Sequence, residues 1–296
     1  MLRAMAHAEK KRNELPHGTL MLWMKNLSPR RQELIRPVID NPREFVLLSV
    51  RATAAKLGTD PATMVRIVQR MGFENYRSFQ NYLRDLSIAN ATSLDGMQDS
   101  AKGSANIPDY LNATMEQDVR NLNSIRTNLD AKRLESVAKR IHGARHRLIL
   151  GGDLAENLVH YLEHHLTIIG LPVLTATTAG RSLHITRSIG RGDVVIAISF
   201  RKGLRQTVEG MQRARNNGAY CIGITGTYVS PIARLADDFF VAPVESNSYI
   251  DSYVAPMSLA NLILVACANY DRERSLALLR EAAKEQRQGF RWFEAE

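Results

Sequence analysis

A chain of 296 residues, 45% of them apolar, can bury a sizeable core and exceeds one typical domain; its formal charge is +9. Two cysteines exclude a disulfide framework and a cysteine-built metal site, and they read as buried free thiols of a reducing compartment. Neither an export signal nor a bilayer span is legible, because the basic N-terminus lacks a following apolar run and the longest apolar stretch, 255–268, is interrupted by Ser258 and Asn261. A soluble cytoplasmic protein with no membrane partner is expected.

The charge is uneven. Residues 1–90 hold 15 Lys/Arg against 8 Asp/Glu, whereas the remainder holds 24 against 22. A local positive excess draws polyanions by counterion release, and nucleic acid and an anionic lipid surface both answer that description.

In chain order, residues 1–17 are polar and basic and are expected to form a flexible arm. Leu20, Leu22, Trp23 and Leu27 suggest a lead-in helix. Ser28-Pro29 opens a helix through Ile39, and Asn41-Pro42 a further short one through Leu48. Residues 51–73 then read as two short helices joined by a turn at Leu57-Gly58-Thr59. Asp60 suits the cap of the second helix and Pro61 its first position. Met64, Ile67, Val68 and Met71 recur at i, i+3, i+4 and i+7, which puts one narrow apolar stripe toward a core. The opposite side carries Thr59, Thr63, Arg66, Gln69 and Arg70, with Arg51 on the first helix. This face bears long hydrogen-bonding side chains and no carboxylate, as base edges and phosphates require. A protein-binding helical bundle with solvated arginines is the bland alternative. A helix over 78–88 closes the domain.

Residues 89–107, rich in Ala, Ser, Asn, Asp and Gly, read as the linker between domains 1–88 and 108–296. Two helices, 108–129 and 130–142, follow. From residue 146 the period changes: RLILGG, PVLTAT, DVVIAISF, AYCIGIT and DDFFVAP are short apolar runs alternating with helical segments. The pattern predicts a doubly wound α/β domain with a five-stranded parallel sheet and helices on both faces. A mostly apolar helix over 247–270 and a charged one over 272–288 complete it.

Ligands of such sheets sit beyond the carboxyl ends of the strands. The candidate ligand residues are therefore Gly151, Gly152 and Asp153 after the first strand, Ser199, Arg201 and Lys202 after the third, Thr225 after the fourth, and Glu245. Amides at a helix start, a hydroxyl and two cations suit a small anion. His160, Glu163, His164 and His165 share a helix but lack the HExxH order and a third ligand, so neither a metal nor another cofactor is expected.

Asp60-Pro61-Ala62-Thr63-Met64-Val65-Arg66, followed by Met71-Gly72-Phe73, resembles the Ser-x-Ala-Thr-x-x-Arg and Leu-Gly-Phe pattern of RpiR/MurR-type bacterial regulators. Ile224-Thr225, Ser230-Pro231-Ile232-Ala233 and Ala236-Asp237 are similar to the SIS (sugar isomerase) domains that those regulators carry. The resemblance implies a transcriptional regulator with an N-terminal helix-turn-helix, double-stranded DNA as partner, a small anionic effector and no catalysis. A homodimer or homotetramer is implied too, since a dimer reads two half-sites about 34–36 Å apart. Departures are specific. Asp60 replaces the usual serine, and of the Ser-x-Ser-Gly-x-Thr phosphate loop only Ser199 remains, with Arg201, Lys202 and Leu204 at the other positions. A phosphosugar and another anion held by Arg201 and Lys202 both stay open. The rival reading is a sugar-phosphate isomerase using Glu245 or His184 as base, and a third is a protein-interaction adaptor.

Overall fold

The computed structural model describes residues 23–24, 26–100 and 106–287. The expected N-terminal arm and most of the lead-in helix lie outside them. The chain divides after Ile88 into two compact units.

In the first unit, α1 (Pro29–Asp40), a 3-10 turn (Pro42–Glu44), α2 (Val50–Lys56), α3 (Pro61–Arg70) and α4 (Tyr76–Asn90) enclose one core. Met64, Ile67, Val68 and Met71 are all fully buried, so the stripe read from spacing faces inward. Phe73 packs edge-on against Trp23 and Phe79, with ring centroids 5.3 and 5.2 Å apart. Buried Thr53 on α2 meets the Tyr76 hydroxyl of α4 at 2.7 Å, and burial pushes that phenol's pKa up. Helix α4 starts earlier than the apolar spacing indicated, because Asn75 and Ser78 cap each other: the Ser78 amide donates to Asn75 Oδ1 at 2.9 Å. The helix expected through Leu48 stops at Glu44. The Leu48 carbonyl there accepts from Gln80 Nε2 at 2.8 Å, and Leu47 is 92% exposed, so nothing buries a longer helix.

In the second unit, residues 93–100 form helix α5, which corrects the reading of 89–107 as a linker without helix. Thr92 and Asp95 supply the start, the Thr92 amide and hydroxyl donating to Asp95 Oδ2 at 2.8 and 2.7 Å. Gly96 passes so close to the Ser248 carbonyl oxygen that a Cβ would lie 2.1 Å from it. A tertiary contact, not a local apolar stripe, places this helix.

Next come α6 (Ile107–Asn128), α7 (Ala131–Gly143), β1 (Arg147–Leu150), a 3-10 turn (Asp153–Ala155), α8 (Glu156–Ile168), β2 (Leu174–Ala176), α9 (Ala179–Ile185), β3 (Val194–Ile198), α10 (Arg205–Asn216), β4 (Tyr220–Thr225), α11 (Pro231–Leu235), β5 (Asp238–Val241), α12 (Val254–Tyr270) and α13 (Arg272–Arg287). The sheet is wholly parallel, in the order β2-β1-β3-β4-β5, with Ile149 opposite Thr175 and Ile196. Side chains alternate across it. Ile149, Ile196 and Ile222 pack with α7, α8 and α12, whereas Leu148, Val195 and Cys221 pack with Met211 and Ile232 on the other face. Both faces are covered, hence the near-continuous apolar strands.

The helix expected from residue 247 begins only at Val254. Residues before it are tied to α6: Asn247 Nδ2 donates to the Ala113 carbonyl at 2.7 Å and Ser252 Oγ to the Asp118 carboxylate at 2.5 Å. Pro256 then sits in the first turn, where no amide donor is needed.

At the amino ends of β1 and β3, Asp193 collects Arg145 (3.0 and 2.9 Å), the Gly190 amide (2.8 Å) and the His146 amide (3.1 Å). Burial alone would raise its pKa, but the bonds from Arg145, the Gly190 amide and the His146 ring, whose Nδ1 lies 3.0 Å from Asp193 Oδ1, outweigh burial and hold the carboxyl at about 2. Cys221 and Cys267 are buried free thiols, each pushed up to about 12, chiefly by burial. Among the described residues no single helix is long and apolar enough to cross a membrane.

Candidate functional site

Two groups of residues carry the chemistry. The first is the α2-turn-α3 pair. Gly58, at φ +67°, makes the left-handed turn between the helices, and Asp60 caps α3 by accepting the Thr63 amide at 2.8 Å. The Thr63 hydroxyl donates to the second Asp60 oxygen at 2.6 Å, and the two bonds, hydroxyl first, hold the carboxyl below its usual range. Arg51, Arg66, Gln69 and Arg70 are exposed, and Thr59 is half-buried in the turn. Arg66 folds along its own helix, Nε donating to the Ala62 carbonyl at 3.2 Å. The structure thus presents two arginines and a glutamine outward one turn apart, with Thr63 engaged by its cap.

The second group lies at the carboxyl end of the sheet. Because β1 is followed by edge strand β2 on one side and β3 lies on the other, their ends flank the point where strand order reverses. Gly151 and Gly152 leave β1 with no room to spare: a Cβ on Gly152 would lie 2.6 Å from Gln206 Nε2 and 2.8 Å from the Thr177 oxygen. Asp153 follows, exposed, at φ +55°. After β3, buried Ser199 accepts the Leu204 amide on its hydroxyl at 2.7 Å, which closes the loop onto the start of α10.

Arg201 in that loop is not left for a ligand in this arrangement. Its Nε lies 2.8 and 2.9 Å from the two Asp251 oxygens, a second nitrogen also donates to Asp251, and a third to the Ala91 carbonyl. Lys202 beside it is exposed. Thr225 at the end of β4 is fully buried, and its hydroxyl has no partner; the same holds for the buried hydroxyls of Thr227 and of Thr207 in the first turn of α10. Gly226 lies against the Phe200 ring, which meets Tyr253 edge-on at 5.3 Å. Burial, then Asp251 and Asp153, push the Tyr253 phenol's pKa up, so both carboxylates act on the same spot. Glu245 is half-buried, its carbonyl held by Asn121 Nδ2 at 2.8 Å.

The loops at the strand ends are legible in the sequence, whereas Gln206, Thr207 and Tyr253 beside them are not. The first two stand in the helical turn directly after the Ser199 loop, a position from which side chains regularly return to it. Tyr253 carries no local signal. His184 is exposed on α9, and His160 is bracketed by Glu163 at 3.0 Å and Glu156 at 3.4 Å, which raise its pKa, Glu163 more. Among the described residues no three His, Cys, Asp or Glu converge as a metal site. A groove of about 880 Å³ opens at the opposite, amino end of the strands, beside Lys139, Arg140 and Arg215. Both of its arginines are engaged, Arg215 with Asp237 at 3.2 Å and Arg140 over the Tyr220 ring.

Residues 140–266 match the SIS domain family. The chain is 23% identical over 253 residues to an uncharacterised HTH-type transcriptional regulator of Caldanaerobacter subterraneus subsp. tengcongensis, covering 82% of this chain and 86% of that one. It is 21% identical to the HTH-type transcriptional regulator RpiR of Escherichia coli strain K12, covering 77% of each. Among solved structures, the sugar isomerase domain of an RpiR transcription factor from Sphaerobacter thermophilus aligns with TM-score 0.55 and 28% identity, over 58% of this chain and 96% of that one. The Vibrio vulnificus NanR protein, complexed with ManNAc-6P, aligns with TM-score 0.57 and 18% identity, over 88% and 95%.

Proposed function

We propose that the chain is an RpiR-type helix-turn-helix transcriptional regulator with an SIS domain, as its SIS match and its relatives support, and that its effector is a phosphorylated sugar seated at the carboxyl ends of β1, β3 and β4. The observation that carries this reading is the trio of buried, unpartnered hydroxyls of Thr207, Thr225 and Thr227. A buried hydroxyl without a partner costs free energy, and a ligand rich in oxygens removes that cost. With Arg201 paired to Asp251 before the effector arrives, hydroxyls, loop amides and Lys202 make the initial grip, which suits a polyol phosphate more than a bare carboxylate. The NanR complex with a sugar phosphate on the same fold is consistent with it.

The chain acts as a switch and not as a catalyst. Aldose-ketose chemistry needs a base held over the substrate carbon, and the two nominated groups are an exposed His184 and a Glu245 in a loop clamped by α6. The protein works as a homodimer or larger even assembly, because one α3 spans few base pairs. An effector changes DNA affinity by the difference in its affinity for two arrangements of the paired helices.

Thermal unfolding of the full chain against a panel of sugar phosphates tests the reading, together with anisotropy titration of the gene's upstream DNA. One sugar phosphate is expected to raise the melting temperature and to shift DNA affinity; a ligand at 100 times its Kd adds about 2.7 kcal/mol. No shift across the panel, or turnover of any member, overturns it.

A further inference from the structure

Arg201 joins three stretches that are far apart in sequence: the loop after β3, the Asp251 segment before α12, and the backbone at Ala91. It does so from a left-handed backbone conformation, φ +53°, that a side chain other than glycine rarely adopts; Asp153, at φ +55°, is the other such residue described, and it borders the same cradle. A backbone outlier of this kind persists where its surroundings over-determine it, and such positions concentrate at ligand clamps and switches. Ala91 directly follows Asn90, the last residue of α4, and Thr92 begins the capped start of α5. The segment at Ala91 is therefore the chain's route from the SIS domain into the helices that read DNA.

From these contacts we infer that Arg201 is the coupling residue of the switch: it ties the effector loop to the backbone entering the DNA-binding helices, and operator affinity is set by whether that tie is made. The inference rests on the effector reading above for what loosens the tie. Guanidinium has a planar fork of donors, and here the fork is divided between a carboxylate and a carbonyl. An anion arriving on the Ser199–Leu204 loop lies beside that fork and competes with Asp251 for it. Withdrawing the guanidinium frees the Ala91 carbonyl, and the start of α5 loses its anchor. Asp251 stands next to Ser252, whose hydroxyl is bonded to Asp118 of α6, so the carboxylate is held still while the arginine is drawn away. Arg201 touches neither DNA nor the hydroxyl trio; it is a positioning residue.

The experiment needs no ligand. Hydrogen exchange over residues 89–100 and the Kd for the gene's upstream DNA are measured for full-length wild type, Arg201→Lys, Arg201→Gln, Asp251→Asn and the exchanged pair R201D/D251R. Lysine keeps a charge for Asp251 but has no fork to reach Ala91. Arg201→Lys is therefore expected to keep the melting temperature close to wild type, yet to exchange faster over 89–100 and to shift the DNA Kd at least fivefold. Arg201→Gln and Asp251→Asn should shift it in the same direction, and R201D/D251R should restore neither measurement, because its guanidinium stands on the wrong loop to reach Ala91. Wild-type exchange and DNA affinity in Arg201→Lys overturn the coupling role, and so does recovery of both in the exchanged pair. An absent sugar-phosphate shift in wild type strikes the effector reading alone, since none of these measurements contains a ligand.

Discussion

Gln206 Nε2 donates to the Thr177 carbonyl at 2.6 Å, and the bond runs so close to Gly152 that a Cβ there would lie within 2.8 Å of both partners. The loops after β1 and β2 are thereby pinned to the first turn of α10, with a hydrogen at the α-carbon as a condition. Gly152→Ala forces the bond apart. The variant is expected to lose about 2 kcal/mol of stability and to show no melting shift with any sugar phosphate found to shift wild type. Thermal unfolding with and without that compound checks it; a full shift in the variant contradicts the cradle.

Thr225 and Thr227 make the converse case. Their hydroxyls are buried and unpartnered, so Thr→Val, which keeps the shape, removes a cost instead of a bond. Each valine variant is expected to be about 1 kcal/mol more stable than wild type without ligand and to bind the sugar phosphate at least tenfold more weakly. Calorimetric titration and denaturant unfolding on the same preparations separate the two effects. A valine variant that is less stable and binds normally would show the hydroxyls to be structural.

On α3 the apolar stripe and the outward face should part company. Ile67→Ala, at a fully buried position, is expected to cost about 3 kcal/mol. Arg70→Ala, exposed, is expected to change stability by less than about 0.5 kcal/mol while weakening DNA binding and lowering its logarithmic salt slope by about 0.9 for a lost phosphate contact. An unchanged salt slope in both Arg66→Ala and Arg70→Ala places the DNA elsewhere.

Asp193 predicts the acid limb of stability. Its carboxyl is held at about 2 in the folded chain, below an unfolded value of about 3.9. A depressed folded pKa gives stability that is complete above the unfolded value and is lost as pH falls through the folded one. The loss should therefore run from about pH 4 to about pH 2 and amount to roughly 2 kcal/mol. Asp193→Asn should flatten that limb and lower stability at neutral pH, where Arg145 is left without its charge partner. Unfolding titrations of both proteins between pH 2 and 7 decide it.

Where an element's own spacing suffices, it was legible in the residues. Met64, Ile67, Val68 and Met71 announce a buried helix face, and five apolar runs announce the sheet. Legibility failed where a distant partner decides the conformation. The run 93–100 has no apolar stripe, and it is helical because Gly96 lets it press on the Ser248 backbone. Residues 247–253, expected to open the helix, are instead drawn to α6, Asn247 by its own amide to the Ala113 carbonyl and Ser252 to the Asp118 carboxylate. The same holds at the site. Arg201 and Lys202 look alike in sequence, as two cations in one loop, and only Asp251, fifty residues on, separates them. Ser199, Gly152 and Thr225 could be placed because strand ends are visible; Tyr253 could not, because nothing near it in the chain points back to the third strand.

The two thiols have a practical consequence. With Cys221 and Cys267 buried and protonated far above neutral pH, the native chain presents almost no thiolate to an alkylating reagent. A cysteine introduced at an exposed position such as Lys202 or Gln69 becomes the one fast-reacting sulfur in the molecule. Fluorophore or spin-label pairs can then be installed without first stripping the protein of its own cysteines, and the arrangement of the DNA-reading helices can be followed by distance.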